Sequence, residues 1–395
     1  MVAYYNCNKV VLVGDVIMKY ITNGKIILPN GEIEQKALVF SNKIEHIIDP
    51  SEIGSYGLGD VYDAEGGIIA PGLIDIHIHG YMGEDSSDAD ENGLRKISSA
   101  LTENGVTAFL PTTMTVSVDT LENVFDIIRK LKNESLDGAQ IIGVNAEGPF
   151  ISKKYKGAQK EENIRTPDAE FLVRNSDVIK ITTIAPETEN AVETIKEVSE
   201  KTGIVISIGH SAATFNEAEE GIRAGAKHAT HLFNAMTGLH HRDLGVVGAC
   251  LKNKDVSCEL IADNFHINPA LFSLVYELKK DNLVLITDCT RAGGLSDGEY
   301  DLGGQILTKK GIECRLPDGT IAGSVLTLNK ALYNFKNQTG IKDFEVISLA
   351  TKAPAKLLND ETRGTLEKGK RADIVIFDKD YNVVKTFVNG REIVK

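Results

Sequence analysis

From about residue 66 to residue 350, short apolar runs rich in β-branched residues alternate with amphipathic stretches of helical length. The apolar runs occupy residues 68–80, 105–113, 140–150, 178–187, 203–211, 226–236, 256–266 and 282–290. Helix-like segments separate them, for example 117–133 and 188–203, with Ser117 and Thr188 as candidate N-caps. Eight such repeats predict a parallel sheet closed into a (β/α)8 TIM barrel. A doubly wound open sheet is the alternative, but no glycine-rich dinucleotide motif follows the first run.

The two ends of the chain have a different pattern, with short alternating runs and tight-turn pairs. The pairs are Asn23-Gly24, Asn30-Gly31 and Asn389-Gly390, each read as a hairpin turn. Neither end is long enough to form a sizeable core alone. We therefore predict that residues 1–65 and 358–395 form one small β-sandwich domain, beside a barrel domain of residues 66–357.

Charge and composition limit the class of protein. The 43 basic and 56 acidic residues give a net charge of −13, which argues against nucleic-acid or anionic-membrane binding. Five scattered cysteines, without a C-x-x-C pair, are typical of reduced thiols. The start of the chain lacks a signal-peptide pattern, and no apolar run reaches the ~18–20 residues of a membrane span. These features predict a soluble cytoplasmic protein.

Several apolar runs end on imidazole or carboxylate side chains. In the first run, "PGLIDIHIHG", two histidines stand two residues apart and so face the same side of a strand. The residues in question are His77, His79, Glu147, His210, His231 and Asp288. A single buried histidine is usually a hydrogen-bonded core residue. Because an apolar barrel tolerates such groups only when they are paired or bound to metal, their repetition predicts a metal site at the barrel mouth.

Other polar residues receive weaker interpretations. His228 lies three residues before His231, and we expect a structural role for it. His240 and His241 contact either substrate or solvent, and His46 is expected to be a surface or packing residue. Cys289 follows Asp288 and is expected to pack rather than to bind metal.

Longer motifs show a resemblance to a known family. Histidines, a carboxylate and an aspartate at these strand ends resemble the amidohydrolase superfamily. Within it, the chain resembles the N-acetylglucosamine-6-phosphate deacetylase family from about Gly66 to Lys395, through the motifs "NAEGPFIS", "KKYKGAQ", "GHSAAT", "THLFNAM", "IADNFH", "LITDCTRAGG" and "TIAGSVLTL". The pair E-G-P-F and T-H-L-F-N-A-M is much more specific than H-x-H, which many hydrolases contain.

The resemblance implies how the donors divide between metals. One site is Glu147, His210 and His231; a second, if filled, is His77, His79 and Asp288. The cofactor would be one or two divalent ions per subunit, zinc or iron(II). A metal-activated hydroxide would attack the acetyl carbonyl of N-acetylglucosamine 6-phosphate, with Asp288 as the catalytic proton shuttle. The products would be glucosamine 6-phosphate and acetate.

The resemblance also implies a set of substrate contacts. They are Ala158, Gln159, Asn234, Ala235, Arg242, Asp263, Asn264, Phe265, His266, Ile321, Ala322 and Gly323. Arg242 would bind the 6-phosphate, reaching into the neighbouring subunit of a homodimer. Some relatives carry histidine in place of Gln159; glutamine can still donate a hydrogen bond to the acetyl carbonyl, but without positive charge.

Two other interpretations compete with this one. Another amidohydrolase, such as a D-amino-acid deacylase or a cyclic-amide hydrolase, would share the metal ligands without the N-A-M and arginine features. A non-catalytic binding protein on a degenerate barrel would lack ligands, whereas every expected position is occupied here.

Overall fold

The computed structural model describes residues 17–394 and, for the backbone only, two short strands at Tyr5–Asn6 and Lys9–Val10. Cys7 and residues 11–16 lie outside the described residues. No helix in the described part of the chain is long and apolar enough to cross a membrane.

Eight parallel strands form the centre of the molecule, each hydrogen-bonded to the next in chain order. They are β1 (Leu73–Ile78), β2 (Val106–Thr113), β3 (Val144–Phe150), β4 (Ile179–Ile184), β5 (Val205–Ile208), β6 (His228–Ala229), β7 (Ser257–Ile261) and β8 (Leu283–Ile286). Beyond the end of β8, the Asp288 amide donates to the carbonyl of His77 in β1 (2.9 Å), which closes the ring. The predicted (β/α)8 barrel is confirmed.

A helix follows each barrel strand and covers the outside of the sheet. The helices are α1 (Glu91–Leu101), α2 (Val118–Leu131), α3 (Ala169–Arg174), α4 (Ala191–Lys201), α5 (Phe215–Ala224), α6 (Gly245–Lys252), α7 (Leu271–Lys279) and α8 (Leu328–Thr339), then α9 (Asp343–Ser348) and α10 (Lys352–Leu357). Ser117 caps α2 as predicted, accepting from the amide of Thr120. Thr188 does not cap α4: its hydroxyl donates to the carbonyl of Ala185, and Asn190 takes the cap position.

The two chain ends pair into two sheets beside the barrel. One has the order Arg391–Glu392, Val383–Val388, Ile374–Phe377, Ile68–Pro71, Lys25–Leu28, Gly31–Ile33; the other has Ile44–Ile48, Ala37–Phe40, Met18–Thr22, Gly59–Asp63. Buried side chains from both sheets form one cluster, including Phe40, Ile374 and Phe387. This arrangement supports the predicted sandwich, while the domain boundaries remain a prediction. The first apolar run is divided, since its residues 68–71 pair with the sandwich strands and only β1 enters the barrel.

The tight-turn pairs do not all close hairpins. Asn389-Gly390 does, with positive φ of 51° and 74° joining Val388 to its partner Arg391, as a type I′ turn requires. A hairpin also forms near Asn30-Gly31, but its two turn residues are Pro29 and Asn30, because Leu28 pairs with Gly31, the first residue of the next strand. Asn23-Gly24 instead connects strands of the two different sheets. The interpretation of that pair as a hairpin turn was wrong, because a turn sequence does not specify which strand becomes the partner.

Further short elements surround the barrel. A three-stranded sheet (Gly298–Leu302, Gln305–Lys310, Glu313–Arg315) follows β8, and the Gln305 amide donates to the carbonyl of Ala158 (2.6 Å). The remaining elements are a ribbon of Gly80–Tyr81 and Glu84–Asp85, the strand Gln140–Ile141, and 3₁₀ turns at Pro50–Glu52, Ser86–Asp88, Thr102–Asn104, Lys153–Tyr155, Glu161–Asn163 and Lys280–Asn282. The three-stranded sheet and the Lys153–Tyr155 turn lie on the side of the barrel where the strands end.

Candidate active site

All six predicted donor residues stand at the carboxyl ends of barrel strands and are buried. His77 lies in β1 with His79 just after it, and Glu147 lies in β3. The other three follow their strands by two residues: His210 after β5, His231 after β6 and Asp288 after β8. The structure therefore brings together at one end of the barrel residues that are 211 positions apart in the chain.

Three of these donors occupy left-handed backbone. Their φ angles are 45° for His210, 28° for His231 and 50° for Asp288. For a residue with a Cβ atom such a conformation costs on the order of 1–3 kcal/mol, and it persists where the surrounding structure enforces it. The side chains of these three residues meet in the two donor groups described next.

The first donor group consists of Glu147, His210 and His231. Glu147 Oε1 lies 3.1 Å from His210 Nε2 and 2.9 Å from His231 Nε2, and the two nitrogens are 3.1 Å apart. Two neutral imidazoles cannot present unprotonated nitrogens to each other at this distance without repulsion. A shared proton or a cation is therefore needed between them.

The second group consists of His77, His79 and Asp288. Asp288 Oδ1 lies 3.2 Å from His79 Nε2 and 3.5 Å from His77 Nε2. Glu147 contacts this group as well, at 3.3 Å from each of the same two nitrogens. Glu147 therefore lies between the two donor groups.

Both groups fit a divalent metal. In each one, the ligand atoms all lie within 4.8 Å of one another. Ligands placed tetrahedrally at about 2.0–2.1 Å from zinc would stand about 3.3 Å apart, close to the spacing in the first group. His77 Nε2 is buried, points into the cluster and has no hydrogen-bond partner among the described residues. A metal ion needs ligand atoms that no hydrogen bond occupies, and nitrogen and carboxylate ligands such as these suit a divalent ion.

In the metal-free chain, protons on the imidazoles take the place of a cation. Burial favours the neutral forms, but hydrogen bonds with Asp288 and Glu147 raise the pKa of His79 to about 10. Burial likewise opposes ionisation of Glu147, yet His210 and His77 hold its pKa well below the usual value. The site thus contains charged carboxylates whose partner protons a metal ion would displace.

Further contacts fix the imidazole rings. His210 Nδ1 donates to the carbonyl of Tyr155 (3.0 Å), and His79 Nδ1 to that of Thr112 (3.2 Å). Their Nε2 atoms are thereby left for the cluster. His77 Nδ1 donates instead to the buried carboxylate of Glu259 (2.9 Å), a residue that the sequence analysis did not select. The available signal was a carboxylate in the middle of the apolar stretch 256–262.

A cavity of about 410 Å³ opens onto both donor groups. Its walls include part of the predicted contact set, namely Ala158, Gln159, Asn234, Ala235, His266, Ile321 and Gly323. Lys154, Tyr155, Phe233 and Thr320 also line it and were not predicted, although the first two lie within the "KKYKGAQ" motif. A larger cavity of about 860 Å³, lined by residues 132–142 and 358–391 among others, contains none of the six donors.

The remaining predicted contacts do not line this cavity. Asp263 holds His266 instead, with its Oδ2 accepting from the ring Nδ1 at 2.6 Å. Ala322 is buried next to the wall, and Asn264 and Phe265 lie beside Asp263 in the same turn.

Two single residues differ from the expectation in other ways. Arg242 is exposed on a loop outside the cavity of its own chain. Gln159 lines the wall, but its amide nitrogen already donates to Glu147 Oε2 (2.5 Å) and its oxygen accepts from the amide of Thr115 (2.6 Å). Both polar atoms of Gln159 are therefore engaged within the protein.

Comparisons with known proteins place the chain among related sequences. The sequence profile of the amidohydrolase family matches residues 68–393. The chain is similar to an N-acetylglucosamine-6-phosphate deacetylase of Lysinibacillus sphaericus, with 37% identity over 84% of this chain and 87% of the relative. An N-acetylgalactosamine-6-phosphate deacetylase of Escherichia coli O157:H7 is 32% identical over 93% of this chain and 97% of the relative.

A solved structure extends the similarity to the fold. The crystal structure of an N-acetylglucosamine-6-phosphate deacetylase from Pasteurella multocida has a TM-score of 0.90 at 30% identity, covering 96% of this chain and 100% of that one. Since the family profile and a 37% identical relative both match most of its length, the chain belongs to the amidohydrolase family.

Proposed function

We propose that this protein is a metal-dependent deacetylase that hydrolyses N-acetylglucosamine 6-phosphate to glucosamine 6-phosphate and acetate. The observation that supports it most is the convergence of two groups that could each hold a metal ion, one of them containing Asp288, on one cavity. The cavity is within the volume range of small-molecule sites. The names of the relatives support the acetylated sugar phosphate as the substrate class.

Glu147, His210 and His231 would hold one divalent metal, and His77, His79 and Asp288 a second. A metal bound there supplies Lewis-acid chemistry, lowering the pKa of water and stabilising negative charge on a carbonyl oxygen. The nitrogen-rich set favours zinc or iron(II), with one or two ions per subunit.

Asp288 would move the proton. Burial opposes its ionisation, but the hydrogen bond from His79 and the charge of His77 lower the pKa of Asp288, so that it is a carboxylate at neutral pH. It lines the cavity and can accept the proton of the attacking water. The leaving nitrogen needs a proton, because an amine anion is a poor leaving group, and Asp288 can return it.

The cavity wall would position the sugar. Asp263 fixes the ring of His266 through Nδ1, leaving Nε2 for the acetyl carbonyl. The backbone amide of Ala235 would bind the phosphate, for which Lys154 offers a nearby charge, whereas the amide of Asn234 already donates to the carbonyl of His231 (3.0 Å). The amide nitrogen of Gln159 has two hydrogens and donates one of them to Glu147, so the predicted hydrogen bond to the substrate would use the second.

We further propose a cytoplasmic homodimer in which Arg242 reaches the phosphate of the neighbouring subunit. Arg242 is too exposed to serve its own cavity, and Leu239 in the same loop is 52% exposed. An apolar side chain and an arginine at one loop tip are typical of an interface anchor. Sedimentation should give the mass of two chains.

Acetate release tests the function. We expect turnover of N-acetylglucosamine 6-phosphate and about 10–100-fold lower kcat/KM for the unphosphorylated sugar, since bonds to a charged phosphate contribute about 1.5–3 kcal/mol. N-acetylgalactosamine 6-phosphate serves as the epimeric competitor. Arg242→Ala should reduce the preference for phosphate, whereas the control Arg223→Ala, on an exposed face of α5, should leave it intact. Faster turnover of the galactose epimer or of an acylated amino acid would refute the assignment.

A further inference from the structure

Glu259 is a buried carboxylate in β7 that binds three groups around the two donor sets. Its Oε2 accepts from His77 Nδ1 (2.9 Å) and from the backbone amide of His231 (2.9 Å). Its Oε1 accepts from His228 Nε2 (3.0 Å). The residue is 0% exposed and is not part of the cavity wall.

The contact with His77 determines which nitrogen of that ring faces the cluster. A carboxylate can only accept, so the proton must sit on Nδ1 of His77. Nε2 then faces Glu147 (3.3 Å) and Asp288 (3.5 Å), and it is the nitrogen that must lose its proton when a metal ion binds. With the other tautomer, Nε2 would carry a hydrogen and could not bind a metal ion.

Packing alone gives no reason for a charge at this position. Within the described residues, the side chains in ion-pair distance of Glu259 are the histidines 77 and 228, with no lysine or arginine. An isolated carboxylate in an apolar barrel is costly to bury, and an apolar side chain of similar size would fill the space. The role of the Glu259 carboxylate is therefore to accept hydrogen bonds from these two histidines.

We infer that Glu259 is a positioning residue, which holds His77 in the metal-binding tautomer and couples it to the backbone of His231. This inference rests on the proposed function, because it presupposes that His77 binds a metal ion there. Partners of this kind raise the basicity of a ligating imidazole, and their loss typically weakens metal binding 10–100-fold.

Two substitutions separate the hydrogen bond from the charge. Glu259→Gln keeps an oxygen for His77 and the volume of the side chain, whereas Glu259→Leu removes every acceptor. The control is His228→Gln, which alters a neighbour of the same carboxylate but leaves His77 Nδ1 its partner. Each protein is stripped of metal, titrated with zinc against a chelator of known affinity, and checked by circular dichroism and thermal melting.

We expect two zinc ions per chain for the natural protein and for His228→Gln. Glu259→Leu should bind one ion 10–100-fold more weakly while retaining the other, and Glu259→Gln should fall between them. If the leucine variant does not fold, the glutamine variant decides. Unchanged affinity in a folded Glu259 variant, equal losses in the control, or a single zinc ion in the natural protein would overturn the inference. Acetate release by the natural protein is measured separately, so that failure of the deacetylase proposal is distinguished from failure of this one.

Discussion

Replacing Asp288 by asparagine isolates the proton-transfer step from the fold. The residue has a φ of 50°, a conformation that asparagine adopts with little cost but alanine does not. Its backbone remains bonded to His77 and Ser324, so the closure of the barrel is kept. What changes is the carboxylate: an amide of the same shape cannot accept the proton of water.

The expected loss follows from the role of a general base. Proton transfer by a positioned group contributes about 10²–10⁴-fold, so kcat for Asp288→Asn should fall by that factor, or about 2.7–5.4 kcal/mol. The first donor group lacks Asp288 and should keep its metal. KM should change little, because the sugar and phosphate contacts remain. The assay is acetate release under saturating substrate, with metal content measured on the same sample.

A residue just before the same strand provides a matched control. Asp281 precedes β8 at the opposite end of the barrel, and its side chain is 69% exposed. Asp281→Asn makes the same chemical change and should leave kcat unaltered. If Asp288→Asn kept near-natural turnover, or lost turnover only in proportion to lost metal, Asp288 would not be the proton shuttle.

Three other outcomes are expected. Zinc binding should release protons at pH 7, because a pKa of about 10 keeps the His79 ring charged in the metal-free protein. Calorimetry in two buffers of different ionisation enthalpy detects the released protons. The affinity for zinc should fall as the pH falls. Gln159→Leu should reduce metal affinity and kcat, since it removes a partner of Glu147; a variant with unaltered metal binding would contradict that. Asp343→Asn should lower the free energy of unfolding by about 1.5–3 kcal/mol, measured in urea, because Lys336 and Tyr381 bond to this carboxylate. Burial alone would raise the pKa of Asp343, but the bonds with Lys336 and Tyr381 outweigh it and lower that pKa. The carboxylate therefore contributes its full share of folding stability above the pKa it has in the unfolded chain. This share is lost as the pH falls through the lower pKa of the folded protein.

The barrel and its polar strand ends were accessible from sequence because both are local patterns. The strand–helix alternation locates all eight barrel strands, and the donors stand at or just after the ends of their runs. Pairing between distant segments was less accessible. Nothing in the local pattern of 68–80 marks the division at Pro71, since the partners of 68–71 lie at 25–28 and 374–377.

Side-chain partners were harder to foresee than donors. Glu259 appears in the sequence as one acid in an apolar strand, and its contact with His77 joins residues 182 positions apart. Gln159 was assigned to substrate by resemblance, but the fold places Glu147 and Thr115 within reach of its amide. Sequence similarity transfers the position of a residue more reliably than the direction of its side chain.

Glu147 makes the two donor groups one electrostatic unit. One of its oxygens contacts His210, His231 and His77, while the other contacts His79 and Gln159. A cation bound in either group would interact with the carboxylate of Glu147. Occupancy of one group therefore changes the electrostatic potential at the other. Substitutions at residues that share a partner do not add independently. The effects of changing a donor of one group must therefore be measured with the other group both filled and empty.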